Sequence, residues 1–417
     1  MKVMNKRALG LSAFLVGGAV VLAGCAGGGG GESSGGADNG GDSGAAENTL
    51  TVWVDADRER ALQDVATAFE EEKGIAVDLV VKEYEDIQQD FITQVPSGEG
   101  PDITIGGHDW TGAFVQDGVV APVELGDKAA EFEEVAIAAV TYDGNTYGLP
   151  YAIENIALVR NADLVPEAPT NFDDMIAKGT AAGTQYPFVV GLNPQNSDPY
   201  HLYPFQTSFG NSVFAQNADG SYDAANLTIG DEAGQQFATW LGQQGAAGVF
   251  NLNLDGDLAK EAFNAGQAPF FLTGPWNIAD AVDAGVNVAV DPIPSAGGQT
   301  ARPFAGVQTF FLSSQSENAL AANEFLVNYI ATPEVQTALF EAGGRAPALT
   351  ESFEAAQADP IVAGFASVGA EAVPMPSIPQ MGAVWDDWGT TEVAIIQGSD
   401  PVSSWTTMAE NIQGKIG

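Results

Sequence analysis

Short apolar runs that alternate with helix-length amphipathic stretches constrain this chain more than any other feature. Leu50 to Val54 is apolar and β-branched, and from about Glu59 to Lys73 the residues Leu62, Val65, Ala66 and Phe69 recur at helical spacing before Gly74. Ile75 to Val81 repeats the strand pattern, Asp86 to Thr93 the helical one, and Ile103 to Ile105 reads as a third strand before a helix over Thr111 to Gln116. Strand and helix in units this short predict an α/β fold with a doubly wound, mostly parallel sheet.

The third strand carries the most chemistry. A turn cluster (Gly98, Gly100, Pro101) leads into it, and it ends in Gly106, Gly107, His108, Asp109 and Trp110. Ligands of open α/β sheets bind beyond the carboxyl ends of the strands, where glycine permits close approach. Gly106 to Trp110 is therefore expected to line a site for an uncharged, hydroxyl-rich ligand. His108 is expected to be structural, because no second histidine or nucleophile is placed to work with it.

Further along, Val140 to Tyr151 breaks the alternation with a tight turn at Asp143, Gly144 and Asn145. Ala152 to Arg160 reads as one strand with Glu154 embedded among apolar neighbours, where a buried acid needs a partner. A second series follows. It has helices near 172–179, after Asp198, over 234–243 and near 258–263, and strands over 188–192, 268–272 and 304–312. Beyond these, 319–330 and 333–340 and most of the last third read as helical.

The first 48 residues stand apart. Lys2, Lys6 and Arg7 precede an apolar run, Ala8 to Val21, that closes on Leu22-Ala23-Gly24-Cys25. This is the layout of a secretory signal. Cys25 is the single cysteine of the chain, so no internal disulfide can form. Residues 26–48 hold no apolar side chain larger than alanine and read as a flexible tether, spanning roughly 25–30 Å as a random coil. Some 370 residues remain, which suits two domains.

A formal net charge of −41 argues against nucleic acid and anionic lipid surfaces as partners, since both require basic side chains to neutralise phosphate. Two histidines leave little room for a zinc site. No metal or other cofactor is expected.

Several blocks in order, VWVDADR (52–58), the stretch 98–118, LPYAIE (149–154), EAFNAGQAPFFLTGPW (261–276), PFAGVQ (303–308) and MPSIPQM (375–381), resemble the extracellular solute-binding proteins of ABC importers. The likeness is greatest to their maltose/maltodextrin-binding branch. It implies a two-lobe periplasmic-binding-protein-like fold, each lobe a doubly wound sheet, joined by crossing hinge segments near Ala152, Phe304 and Ala346. Lobe 1 would comprise 49–152 plus 304–345 and lobe 2 residues 154–302 plus 350–417. Residues 1–24 would be a lipoprotein signal peptide. Leu22 to Cys25 resembles the bacterial lipobox, implying diacylglycerol on Cys25 and a monomer on the outer face of the cell membrane, tethered by residues 25–48 and serving an ABC permease.

The same resemblance assigns sugar-hydroxyl contacts to Asp57, Arg58, Asp109 and Glu154. It assigns an acid-proline-tyrosine contact to Asp198 and Tyr200, stacking to Trp276 and Trp385, and an apolar contact to Met375. Read from spacing alone, Asp57 also suits a helix N-cap. The chain departs from the pattern at Gly106, where the family has tryptophan, at Asp386 (tyrosine) and Gly389 (arginine), and at Trp110 (arginine). Trp110 and Trp388 are accordingly expected to take over stacking.

A membrane-tethered glycoside hydrolase is the competing reading, with Asp109 and Glu154 as paired acids. Arg58 beside them would hold them ionised, which does not suit a general acid. A receptor for a polyamine or a peptide is a third.

Overall fold

The computed structural model describes residues 49–217 and 222–417; the leader, Cys25 and the tether lie outside the described residues. The alternation read from the sequence forms as expected. Strand Thr49–Val54 passes into helix Ala56–Lys73 and then strand Ala76–Val81. The helix starts because the Asp55 carboxylate accepts from the Arg58 backbone N–H. It stops at Gly74, whose left-handed φ of 69° turns the chain at no steric cost. Asp55 is thus the N-cap, and Asp57 lies inside the first turn.

The larger sheet runs, in spatial order, Ala346–Pro347, Gly148–Glu154, Phe304–Ser313, Ile103–Gly107, Thr49–Val54, Ala76–Val81. The amino-terminal strands pair in parallel, as the strand–helix alternation predicts. Phe304–Ser313 then enters antiparallel between Ile103–Gly107 and Gly148–Glu154. It arrives from far along the chain, a pairing that local periodicity does not encode. The smaller sheet is antiparallel and centres on Ala157–Asn161, between Phe270–Thr273 and Val288–Asp291. Its expected neighbour at 188–192 contributes a single bridge, Val189 to Phe271.

The one strand expected over Ala152 to Arg160 is two. Gly148–Glu154 belongs to the larger sheet and Ala157–Asn161 to the smaller, with Asn155 and Ile156 between them. The reason lies in the cores. One apolar core gathers side chains from 50–152 and 307–349, the other from 156–304 and 373–412. A continuous strand would have to serve both. Phe304–Ser313 makes the same passage in the opposite direction: Phe304 stacks on Tyr203 of the second core at 3.8 Å, whereas Phe310 is buried in the first. The molecule therefore has two α/β lobes, and the strands that cross between them carry Glu154 and Gln308.

Candidate functional site

The segment after the strand Ile103–Gly107 shows how two glycines build a wall. A β-carbon at Gly106 would lie 2.4 Å from Cε3 of Trp110, and one at Gly107 would lie 2.5 Å from Oδ1 of Asp109. The next turn folds both side chains back over the glycines, into space that any other residue would fill. The Trp110 ring is held between Tyr84 at 5.4 Å and Phe114 at 5.9 Å. Trp110 thus occupies the space that a side chain at position 106 would need.

Among the described residues no side chain hydrogen-bonds to Asp109. Burial pushes its carboxyl up to about 7, its own backbone N–H opposes the rise, and neighbouring Glu154 adds to it. His108 is structural, as expected. Its Nδ1 accepts from the Val307 N–H at 3.0 Å, so Nε2 carries the proton and donates to the Met375 carbonyl at 3.1 Å. Burial holds it neutral, with its pKa lowered to about 4 despite those two bonds. Met375 is buried beside the start of Phe304–Ser313, with its N–H donating to the Ala305 carbonyl at 3.2 Å.

Arg58 is buried, but it pairs with Asp55 and donates from Nε to the Tyr151 hydroxyl at 2.7 Å. Arg58 is not among the groups that act on Asp109, whose carboxyl is raised, so the expectation that Arg58 keeps that acid ionised is not met. One Arg58 donor, Nη2, is buried without a partner among the described residues. Asp57 pairs instead with Arg60 of its own helix and is 41 % exposed.

Glu154 has the partners that a buried acid requires, and the sequence reading missed both. Gln308 Nε2 donates to its Oε1 at 2.9 Å and Arg345 Nε donates to its Oε2. Gln308 in turn accepts from the Tyr84 hydroxyl at 3.0 Å. Tyr84, Tyr151, Gln308 and Arg345 come from four distant stretches. The one sequence signal was scarcity, since the chain has only 14 lysines and arginines and an arginine straight after a Gly-Gly helix stop is conspicuous among them.

The second lobe supplies a further group of acidic and aromatic residues. Asp198 caps the helix Pro199–Ser208 and also binds His201 Nδ1 at 2.7 Å. The Tyr200 hydroxyl is buried and has no partner among the described residues, and burial, then Glu154, raises its pKa well above the usual phenol value. Trp276 is half-buried at the end of Phe270–Thr273, with His201 edge-on at 6.1 Å and the Arg345 guanidinium 4.9 Å from its ring centroid. Trp385 is also half-buried, stacked on Trp388 at 5.6 Å and edge-on to Phe304 at 6.2 Å.

Trp388 is fully buried and cannot stack on a ligand; it backs Trp385 from the core. Its turn-rich surroundings suggested exposure, but helix Trp385–Ile396 turns it inward. Gly389 follows for a steric reason, because a β-carbon there would meet the Asn196 carbonyl oxygen at 2.1 Å.

Trp276, Trp385, Asp198, Asp386 and Glu85 line a recess of about 410 Å³. Glu85 is from the first lobe, so both lobes contribute. A more apolar recess of about 510 Å³, lined by Val135, Ile278, Phe340 and Phe365, also touches Glu154 but has no tryptophan. Stacking faces with converging donors and acceptors belong to the first recess. Among the described residues no group of three or more His, Cys, Asp or Glu could hold a metal ion.

Two α/β lobes joined by crossing strands, with a recess lined by Trp276 and Trp385 and by polar groups of both lobes, define a cleft receptor for a small solute. The chain belongs to the bacterial extracellular solute-binding proteins, whose family pattern matches residues 64–364. It is 26 % identical to the galactooligosaccharide-binding protein of Bacillus subtilis (strain 168) over 393 residues, 90 % of this chain and 91 % of that protein. It is 28 % identical to a maltooligosaccharide ABC transporter solute-binding lipoprotein of Streptococcus pneumoniae (strain ATCC BAA-255 / R6), with 83 % of each chain covered. Among solved structures it is similar to the Thermus thermophilus maltotriose binding protein bound with maltotriose. That likeness has a TM-score of 0.79 and 32 % identity, and covers 88 % of this chain and 100 % of that one. The chain is a solute-binding protein and not an enzyme.

Proposed function

We propose that this protein captures an oligosaccharide of the maltose/maltodextrin class between its lobes and delivers it to an ABC permease. The observation that carries the reading is a set of half-buried tryptophans on both lobes, Trp110 on one and Trp276 with Trp385 on the other, linked through Tyr84, Gln308, Glu154 and Arg345, with Arg58 Nη2 and the Tyr200 hydroxyl buried without partners among the described residues. A sugar ring has apolar faces for the indoles and hydroxyls that both accept and donate. Asp109, Asp198 and Asp57 supply acceptors, Glu154 orients the floor, and Met375 adds an apolar contact. The lobes divide as 49–152 plus 304–345 and 154–302 plus 350–417. Ligand bridging the two shifts the open-to-closed equilibrium.

The names of the relatives support the sugar class and leave linkage open between galacto- and malto-oligosaccharides. Calorimetric titration with maltotriose, galactotriose, trehalose and a polyamine tests the reading. Stoichiometric binding of an oligosaccharide without release of new reducing ends supports it, whereas turnover, or binding of the polyamine alone, defeats it. We infer further that Cys25 carries the lipid that holds the monomeric protein at the outer face of the membrane, as the relative named a lipoprotein suggests. Cys25→Ser should then release the protein from membrane fractions, and retention would refute the anchor.

A further inference from the structure

The corner that closes helix Pro333–Gly343 reaches across to the other lobe. Gly344 has a φ of 68°, and a β-carbon on it would lie 2.7 Å from the Pro275 carbonyl oxygen, one residue before Trp276. This is direct backbone contact at the root of the stacking residue, and Arg345 emerges from it. Its guanidinium does two jobs at once: the Nε edge binds Glu154, and its carbon sits 4.9 Å from the Trp276 ring centroid. Only a planar cation can present donors in its plane to a carboxylate and its face to an indole. The other oxygen of Glu154 is bound to Gln308, Gln308 to Tyr84, and Tyr84 contacts Trp110. The two aromatic walls are thereby joined through the floor.

We propose that Arg345 is a positioning and specificity-determining residue that couples the lobes, fixing the tilt of Trp276 and keeping Glu154 engaged within the floor. Cleft width at Trp276 then depends on Arg345, and so does which ring-to-ring linkage lets a sugar reach Trp110 and Trp276 together. For its ligand the proposal rests on the oligosaccharide reading; the coupling itself is a property of the ligand-free protein.

The test uses wild type, Arg345→Lys, Arg345→Met and Trp276→Phe. Without ligand, the Trp276 contribution is isolated as the difference between chains with and without Trp276, and its quenching by acrylamide is measured. Arg345→Met should make that contribution more quenchable, and Arg345→Lys should recover it only in part. Maltotriose titration should show Arg345→Met weaker by about tenfold or more and Arg345→Lys intermediate, the scale of a desolvated cation–π contact. Unchanged Trp276 quenching in Arg345→Met, or affinity within about twofold of wild type, overturns the proposal. If wild type binds no oligosaccharide the sugar reading fails, and the ligand-free quenching still decides the coupling. Far-UV circular dichroism establishes that each variant is folded, and if Arg345→Met is not, Arg345→Lys alone decides on both readouts.

Discussion

Gly106→Ala tests the idea that Gly106 and Trp110 share one space. The added methyl would lie 2.4 and 2.5 Å from two Trp110 ring carbons and 3.1 Å from Phe311. Gly106 is paired with Thr309 inside the larger sheet, so the backbone cannot retreat and the indole must move. Overpacking of this kind costs about 1–3 kcal/mol. Displacing Trp110 also forfeits its contacts with Tyr84 and Phe114, each about 0.5–1.5 kcal/mol beyond area burial. Gly106→Ala is therefore expected to lose about 2–4 kcal/mol in urea denaturation. Removing the indole should relieve the clash, so Gly106→Ala with Trp110→Ala should cost less than the two single changes added together, by about 1 kcal/mol or more. The displaced ring should weaken oligosaccharide binding as well. Additive costs, or a loss below about 0.5 kcal/mol for Gly106→Ala, would refute the shared-space argument.

Three further expectations follow from the site. The Asp109 carboxyl has an ordinary value of 3.8 and titrates at about 7 when folded. The stability it contributes when protonated is complete below the unfolded value and is lost as pH rises through the folded one. Asp109→Asn should thus abolish a decline in stability between about pH 4 and 7; an unaltered urea-midpoint profile would count against it. His108→Ala strands the Val307 N–H and the Met375 carbonyl and should cost about 2–5 kcal/mol, measured by the same denaturation. Glu392, fully buried beside Ser197 and Trp388, has its pKa pushed well above the carboxylate range chiefly by burial. Its contribution is lost as pH rises toward the folded value, so Glu392→Gln should match wild type in acid and exceed it at alkaline pH. Equal loss at every pH would disprove that assignment.

What local pattern encodes was legible in the chain. Apolar periodicity gave the helix after Thr49–Val54 and the parallel start of the larger sheet, because both depend on neighbours a few residues apart. The glycine pair before His108 marked a wall, and the block resemblance gave the two-lobe family. Choices that depend on distant partners were not legible. The passage of Gly148–Glu154 into Ala157–Asn161 looked continuous until two separate cores claimed its halves. Trp385 and Trp388 have similar surroundings in sequence, yet a helical turn leaves one half-buried and the other fully enclosed. Glu154 needed a buried partner, and only the fold could bring Arg345 to it across 191 positions. Spacing along a chain reports which face a side chain occupies; burial and charge pairing are settled when those faces meet.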